Sequence, residues 1–215
     1  MTLSSINAVT VDNTEQYPHS SQIKGDGKFA NIAPSEPFSW GKGVELVKRF
    51  LFEKKINTVP KSTPPVMALT QEDILNLPGQ KTSVVRLGHS SLLVKIDTQL
   101  WLIDPVFSAR ASPYSFIGPK RFHQPPISLE NLPPVDGVII SHNHYDHMDE
   151  KTIRSLHTKV KQFVMPLGNA AQLRDWGVPD NKLTELDWWE SFKVGGVELI
   201  STPAQHFSGR GLGDR

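Results

Sequence analysis

An α/β domain is the fold class this sequence predicts, and three observations carry it. Beyond Ser83, short apolar runs alternate with segments whose apolar residues recur at helical spacing. Turn residues at Asp97, Gly177 and Gly195-Gly196 punctuate those runs. One run, Val138-Ile139-Ile140, ends directly in Ser141-His142-Asn143-His144-Tyr145-Asp146-His147, a concentration of metal-binding side chains. The β-α-β-α order from that point implies helices packed outside a sheet.

Taken in order, residues 1 to 40 are rich in Ser, Asn, Gly and Pro with scattered apolar residues, which reads as an extended arm. Between Lys42 and Lys55, Val44, Val47, Phe50 and Leu51 share a helical face, with Lys48, Lys54 and Lys55 mostly off it. Such a helix either docks on the core with its basic side in water or lies against a lipid surface. Pro60, Pro64 and Pro65 then interrupt the chain, and Thr70 with Asp73 forms a capping pattern for a short helix. The predicted organisation is therefore an N-terminal arm with one or two packed helices over 1–80 and a regular domain over 81–215.

In that domain Val84-Val85-Arg86-Leu87 and Leu92-Leu93-Val94-Lys95-Ile96 read as strands, and Leu100-Trp101-Leu102-Ile103 pairs back as a hairpin ending at Asp104-Pro105. Phe107 to Pro134 is proline-rich and aperiodic, the kind of long loop usually kept for function. After the Val138–Ile140 strand, Asp149 is placed to cap a helix from Glu150 to about His157. Phe163-Val164-Met165 follows as a strand, then Asn169 to Trp176 as a helix stopped by Gly177. Phe192–Val194 and Val197–Ile200 form a last hairpin across Gly195-Gly196, leading to Thr202-Pro203-Ala204-Gln205-His206.

A chain of 215 residues can bury one sizeable core. Its net charge of +1 gives no field for holding nucleic acid, so no nucleic-acid partner is expected. The absence of cysteine leaves histidine and carboxylate as the strong metal ligands and removes thiol nucleophiles. The first residues show no basic-then-apolar leader, and no run reaches the roughly 18 apolar residues of a membrane span. A cytoplasmic location is the expectation.

His142 and His144 point the same way at period two in extended chain, while Asp146 and His147 occupy the turn into the next helix. Two imidazoles can hold one ion, and a carboxylate with an imidazole can begin a second site. A lone histidine at a strand end is usually an ordinary polar residue. Here three of the chain's eight histidines and an aspartate fall within six positions, which favours metal. His89 and Asp104, each at a strand end, are either partners that orient a ligand imidazole or plain turn residues. Lys120-Arg121 either meets a phosphate or is solvated, and Trp188-Trp189 either lines an apolar channel or packs.

His142-x-His144-x-Asp146-His147 resembles the signature of the metallo-β-lactamase superfamily. Leu87-Gly88-His89-Ser90, Asp104-Pro105-Val106-Phe107-Ser108, Gly118-Pro119-Lys120-Arg121-Phe122, Leu132-Pro133-Pro134, Glu185-Leu186-Asp187-Trp188-Trp189-Glu190 and Thr202–His206 extend the likeness. Together they resemble the branch of N-acylphosphatidylethanolamine-hydrolysing phospholipase D and its bacterial relatives, from about Lys81 onward. Ser115-Phe116 stands where the animal enzymes carry Gln-Tyr.

The resemblance implies an αββα sandwich and a metal-dependent hydrolase working through a metal-bridging hydroxide, most nearly a phosphodiesterase of phospholipase D type. A lactonase or another hydrolase on the same site is the alternative. It further implies two zinc ions, the first on His142, His144 and His206, the second on Asp146 and His147. Asp146 would also orient the hydroxide, which makes it the catalytic residue. The family pattern adds an aspartate and a histidine later than His206, for which this chain has no residue. The expectation is thus the N-terminal half of the domain, with a complementary C-terminal segment or a second copy as partner; a second alternative is an inactive fragment that needs a complementary C-terminal half. The substrate expected is a small or phospholipid-like molecule, with peripheral membrane contact.

Overall fold

The arm at the N-terminus contributes strands. The computed structural model describes residues 8–11, 22–23, 29–33, 40–54, 56, 58–112, 114, 116 and 118–210. Within the arm, β1 (Ala8–Val11) joins the sheet made by the last hairpin, and β2 (Gln22–Ile23) pairs with β3 (Phe29–Ala30). Single apolar residues among Ser and Asn do not show a two-residue period over so short a stretch, so this pairing is invisible locally. Apart from residues 31–33, the rest of the arm up to residue 39 lies outside the described residues.

Helix α1 (Trp40–Phe52) forms where the 3.6-residue pattern places it. Of its apolar residues, Val44 is 52% and Phe52 82% exposed, while the side chains of Val47, Phe50 and Leu51 lie outside those described. Helix α2 (Gln71–Leu75) starts at the anticipated capping box: the Asp73 amide donates to Thr70 Oγ1 at 3.1 Å, and the Thr70 amide donates to Asp73 Oδ2 at 2.8 Å.

Six strands follow in one sheet. Strands β4 (Ser83–Gly88), β5 (Ser91–Ile96) and β6 (Gln99–Ile103) run antiparallel. Strands β7 (Val135–Ile139), β8 (Val160–Pro166) and β9 (Leu183–Leu186) continue the sheet in parallel from β6. Helices α3 (Glu150–Leu156) and α4 (Ala170–Asp175) connect the parallel strands. Strands β10 (Ser191–Val194) and β11 (Val197–Ile200) form the hairpin that pairs with β1 in a second sheet of three strands. Gly195 takes φ 57 in that turn, a conformation costly for a residue with a Cβ.

Alternation along the strands sorts the core into two layers. Leu100, Leu102, Val138, Phe163 and Met165 face Ile74, Ile153, Leu156 and Leu173 from the helices. Trp101, Ile139, Val164 and Leu186 face the opposite way, onto Phe192, Val194 and Leu199 of the small sheet. The two sheets are also bonded through Gln99, whose Nε2 donates to the Val194 carbonyl at 2.8 Å and whose Oε1 accepts from Trp101 Nε1 at 3.0 Å. A helix layer on one face and a second sheet on the other give the αββ layers of the mixed α/β architecture.

Trp101 opposes Gly137 in the parallel register, and a Cβ at 137 would overlap the six-membered ring of the indole. Trp101 is 1% exposed and cannot swing away. Gly137→Val is therefore expected to destabilise the fold by about 3 kcal/mol or more, the upper range of overpacking. Urea titration of the two chains measures it, and an unchanged midpoint would contradict this packing.

Beyond the arm, the structure differs from the sequence-based elements in three further places. Strand β9 was not anticipated, since Leu183-Thr184-Glu185-Leu186 lacks a β-branched run. Asp149 stands at the α3 N-cap, but its side chain makes no capping bond. Its carboxylate accepts instead from the Ser108 amide (3.0 Å), Ser108 Oγ (2.9 Å) and Thr152 Oγ1 (2.6 Å), tying the loop after β6 to the helix. The α4 N-terminus is likewise met from a distance: Glu185 Oε1 accepts from the Asn169 and Ala170 amides at 2.7 and 2.8 Å.

Candidate metal centre

Parallel strands β6 and β7 end side by side, and the residues just past their carboxyl ends build the site. Asp104 follows β6 with φ 43 and is 4% exposed. Its Oδ1 accepts from the Ser141 amide (2.7 Å), and its Oδ2 from Ser141 Oγ (2.7 Å) and His147 Nδ1 (2.8 Å). A carboxylate can only accept here, so His147 carries its proton on Nδ1 and turns Nε2 toward the site.

The same logic fixes His142. Ser141 gives its one hydroxyl proton to Asp104, so His142 Nδ1, 2.9 Å from Ser141 Oγ, must be the donor of that pair. His142 Nε2 is then the free lone pair. It lies 3.0 Å from His144 Nδ1, which in turn lies 3.3 Å from His206 Nε2. Three imidazoles from two separated stretches thus aim ring nitrogens at one point, all within 4.8 Å of one another.

Burial lowers the His142 pKa to about 4, and the charges of His147, His144 and His206 push it the same way. The ring is neutral and ready to donate at neutral pH. For His147, burial pulls the pKa down, but the hydrogen bond and charge of Asp104, with the charge of Asp146, leave it raised overall. Those same anions favour a cation of any kind at Nε2.

A second group comprises His89, Asp146 and His147. His89, in the turn between β4 and β5 with φ 50, holds Asp146 Oδ2 at 2.9 Å from its Nε2. Ser90 Oγ donates to the Asp146 carbonyl at 2.9 Å. Asp146 Oδ2 is 3.6 Å from His147 Nε2. Burial opposes the charged form of Asp146, yet its hydrogen bonds and the two histidines keep its pKa below the usual carboxylate value.

The anticipated residues therefore divide. His142, His144 and His206 meet in one group; Asp146 and His147 meet in a second, with His89; Asp104 braces His147 and Ser141. Arg121 is engaged with backbone: its guanidinium donates to the carbonyls of Val106 (2.5 Å), Leu87 (3.0 Å) and His123 (3.3 Å), stapling the ends of β4 and of the loop after β6. Lys120 is exposed and pairs through its backbone with Arg110. Trp188 is half-buried, with its amide on Asp187 Oδ1. Neither Lys120 nor Trp188 belongs to a histidine group. Ser141, Asn143 and Arg210 also take part in the site's bonding: Ser141 and Asn143 lie within the histidine run but are not metal-ligand types, and the role of Arg210 depends on partners over 60 residues away.

The donor set suits a divalent ion: imidazoles, two of which (His142 and His147) are oriented by hydrogen bonds on their Nδ1 atoms, one carboxylate, and no thiolate. Among the described residues no helix is long and apolar enough to cross a membrane.

The family model described as a beta-lactamase superfamily domain matches residues 101–215. An uncharacterized protein of Mycobacterium tuberculosis is 39% identical over 194 residues, covering 87% of this chain and 50% of its own length. The N-acyl-phosphatidylethanolamine-hydrolyzing phospholipase D 1 of Caenorhabditis elegans is 40% identical over 163 residues, covering 71% of this chain and 45% of that protein. A metal-dependent hydrolase of Pyrobaculum aerophilum is 30% identical over 128 residues, covering 58% and 50%. The chain spans about half the length of the curated relatives it matches.

Proposed function

This chain belongs to the beta-lactamase superfamily, and on that premise we propose that it carries the metal site of a hydrolase, most nearly a phosphodiesterase of phospholipase D type. The observation that carries the proposal is the convergence of His142 Nε2, His144 Nδ1 and His206 Nε2 on one point. These three residues would hold one ion, and Asp146 and His147 would contribute to a second, with His89 orienting Asp146. Nitrogen and oxygen donors without sulfur are compatible with zinc. A bound divalent ion supplies Lewis-acid polarisation and an acidified water at neutral pH.

The chain's own residues supply the rest. Asp104 and Ser141 lock two ring tautomers, so that lone pairs and not N–H groups face the site. Asp146, held by His89 at 2.9 Å and 3.6 Å from His147 Nε2, would orient a nucleophile in the second group.

The phosphodiester reading draws on the likeness to phospholipase D and on the loop after β6. There the Arg110–Lys120 bridge and two further backbone bonds, Ala111 N to Pro119 O and Arg121 N to Ala109 O, close a tongue. Its exposed Tyr114 and Phe116 stack at 5.7 Å between centroids. Arg121 fastens the base of that tongue to the Val106 and Leu87 carbonyls, and the exposed ring pair suits a substrate with an apolar tail.

The test is hydrolysis of bis(p-nitrophenyl) phosphate and of N-acyl phosphatidylethanolamine by the zinc-loaded chain, alongside a lactone. Two ions per chain with release of phosphatidic acid is the expected result. Lactone turnover without phosphodiester cleavage would overturn the phosphodiesterase reading in favour of another hydrolase. One ion with no turnover would show that these residues hold metal and need a complementary segment for catalysis.

A further inference from the structure

The three nitrogens of the first group come from stretches far apart in sequence: His144 and His206 are separated by 62 residues. The described segment from Ser201 to Arg210 contains no helix or strand; Ser201 is held by backbone bonds with Trp189 and Glu190, and beyond it side chains make the anchoring contacts. Gln205 Nε2 reaches the Ala33 carbonyl and the His206 amide reaches Asn31 Oδ1, each at 3.2 Å. The stronger anchors lie at the far end of the segment.

Arg210 Nη1 donates to the Asn143 carbonyl at 2.9 Å and to the Met148 carbonyl at 2.7 Å, gripping both ends of the histidine loop. Its guanidinium carbon sits 4.0 Å from the Tyr145 ring centroid and 5.1 Å from that of Trp176. The Arg210 carbonyl accepts from the Tyr145 hydroxyl at 3.0 Å, and the neighbouring Gly209 amide donates to Asn143 Oδ1 at 2.7 Å. The partners on the loop lie between or beside the metal-group residues His142, His144, Asp146 and His147.

We propose that Arg210 is a positioning residue that fixes His206 against His142 and His144. The inference rests on the metal reading of that group. A ligand on an untethered segment must be ordered when the ion binds, which weakens affinity; a tethered one is already in place. Only a planar guanidinium can bond two carbonyls on its edge while stacking its face on two aromatic rings, so lysine is a poor substitute.

The test compares the full chain with Arg210→Met, Arg210→Lys and Asn143→Ala. Cobalt(II) affinity is read from the visible spectrum against a competing chelator, and amide exchange at His206 and Gly209 is read in the metal-free chains. Arg210→Met is expected to lose about 10–100-fold in affinity, in line with outer-shell partners of metal ligands. Arg210→Lys and Asn143→Ala should lose less, and both amides should exchange faster in each variant. Should Arg210→Met fail to fold, the other two variants carry the comparison.

Cobalt affinities in the variants equal to that of the parent chain would overturn the role of Arg210 and leave the metal reading standing. A parent chain that takes up no cobalt would overturn the metal reading instead. Amide protection unchanged in metal-free Arg210→Lys and Asn143→Ala would, by itself, overturn the tethering.

Discussion

A His144→Ala chain is expected to bind no divalent ion at the His142–His206 group and to lose hydrolysis by about 10³-fold or more, since Lewis-acid stabilisation is worth several kcal/mol. His144 is the sharpest choice because its Nδ1 is the common neighbour of the other two donors, at 3.0 Å from His142 Nε2 and 3.3 Å from His206 Nε2. Removing it leaves two imidazoles that no longer surround a point. Metal content after desalting and the rate on bis(p-nitrophenyl) phosphate measure the effect, and full retention of both would contradict the assignment. A second readout needs no metal. The His142 pKa, lowered to about 4 by burial first and by neighbouring histidine charges next, should rise part of the way back in this variant. The sign follows from linkage. A histidine whose folded pKa is depressed binds fewer protons than in the unfolded chain between about 4 and 6.5, so metal-free stability rises with pH across that window. That slope should be shallower in the variant.

Asp104→Asn should retain the fold and lose the second ion. The amide keeps the shape and tolerates the left-handed backbone at φ 43 better than most residues. One amide oxygen can still accept from Ser141, but the NH₂ then faces His147 Nδ1 and forces that nitrogen to accept. The His147 proton moves to Nε2, the atom that should face the metal. Affinity for the second ion is expected to fall about 10–100-fold, with little change in thermal midpoint. Asp104→Ala separates the two roles, because it also takes the acceptor from the Ser141 amide and hydroxyl and should cost about 1–2 kcal/mol of stability. Zinc titration and thermal melts of both variants check the pair. If Asp104→Asn bound two ions with unchanged affinity, the tautomer argument would fail.

The parts of this molecule legible in its sequence are those governed by local pattern. Strands β4 to β8, the Gly195-Gly196 hairpin and the Thr70–Asp73 capping box follow from period-two runs and turn residues a few positions apart. The grouping of the first three histidines is legible because His142 and His144 sit at period two beyond an apolar strand, and because His206 lies in a stretch that resembles a family motif. What stayed hidden depends on residues distant in sequence. Strand β1 gains its meaning from pairing with β10, and the tautomer of His147 depends on Asp104, 43 positions away. Arg121 read as a candidate phosphate ligand because a basic pair in a loop looks free. Its guanidinium is instead engaged with three carbonyls that only the fold brings together. The roles of Asn143, a non-ligand residue inside the histidine run, and of Arg210 are not legible until their partners across more than 60 residues are known.

The claim that His142, His144 and His206 jointly hold an ion is tested most directly by X-ray absorption at the metal edge of the chain loaded with one equivalent of zinc. The expected spectrum shows the outer-shell scattering of three imidazoles, falling to two in His206→Ala. A spectrum with oxygen neighbours only, or one unchanged when the three histidines are replaced together, would contradict it.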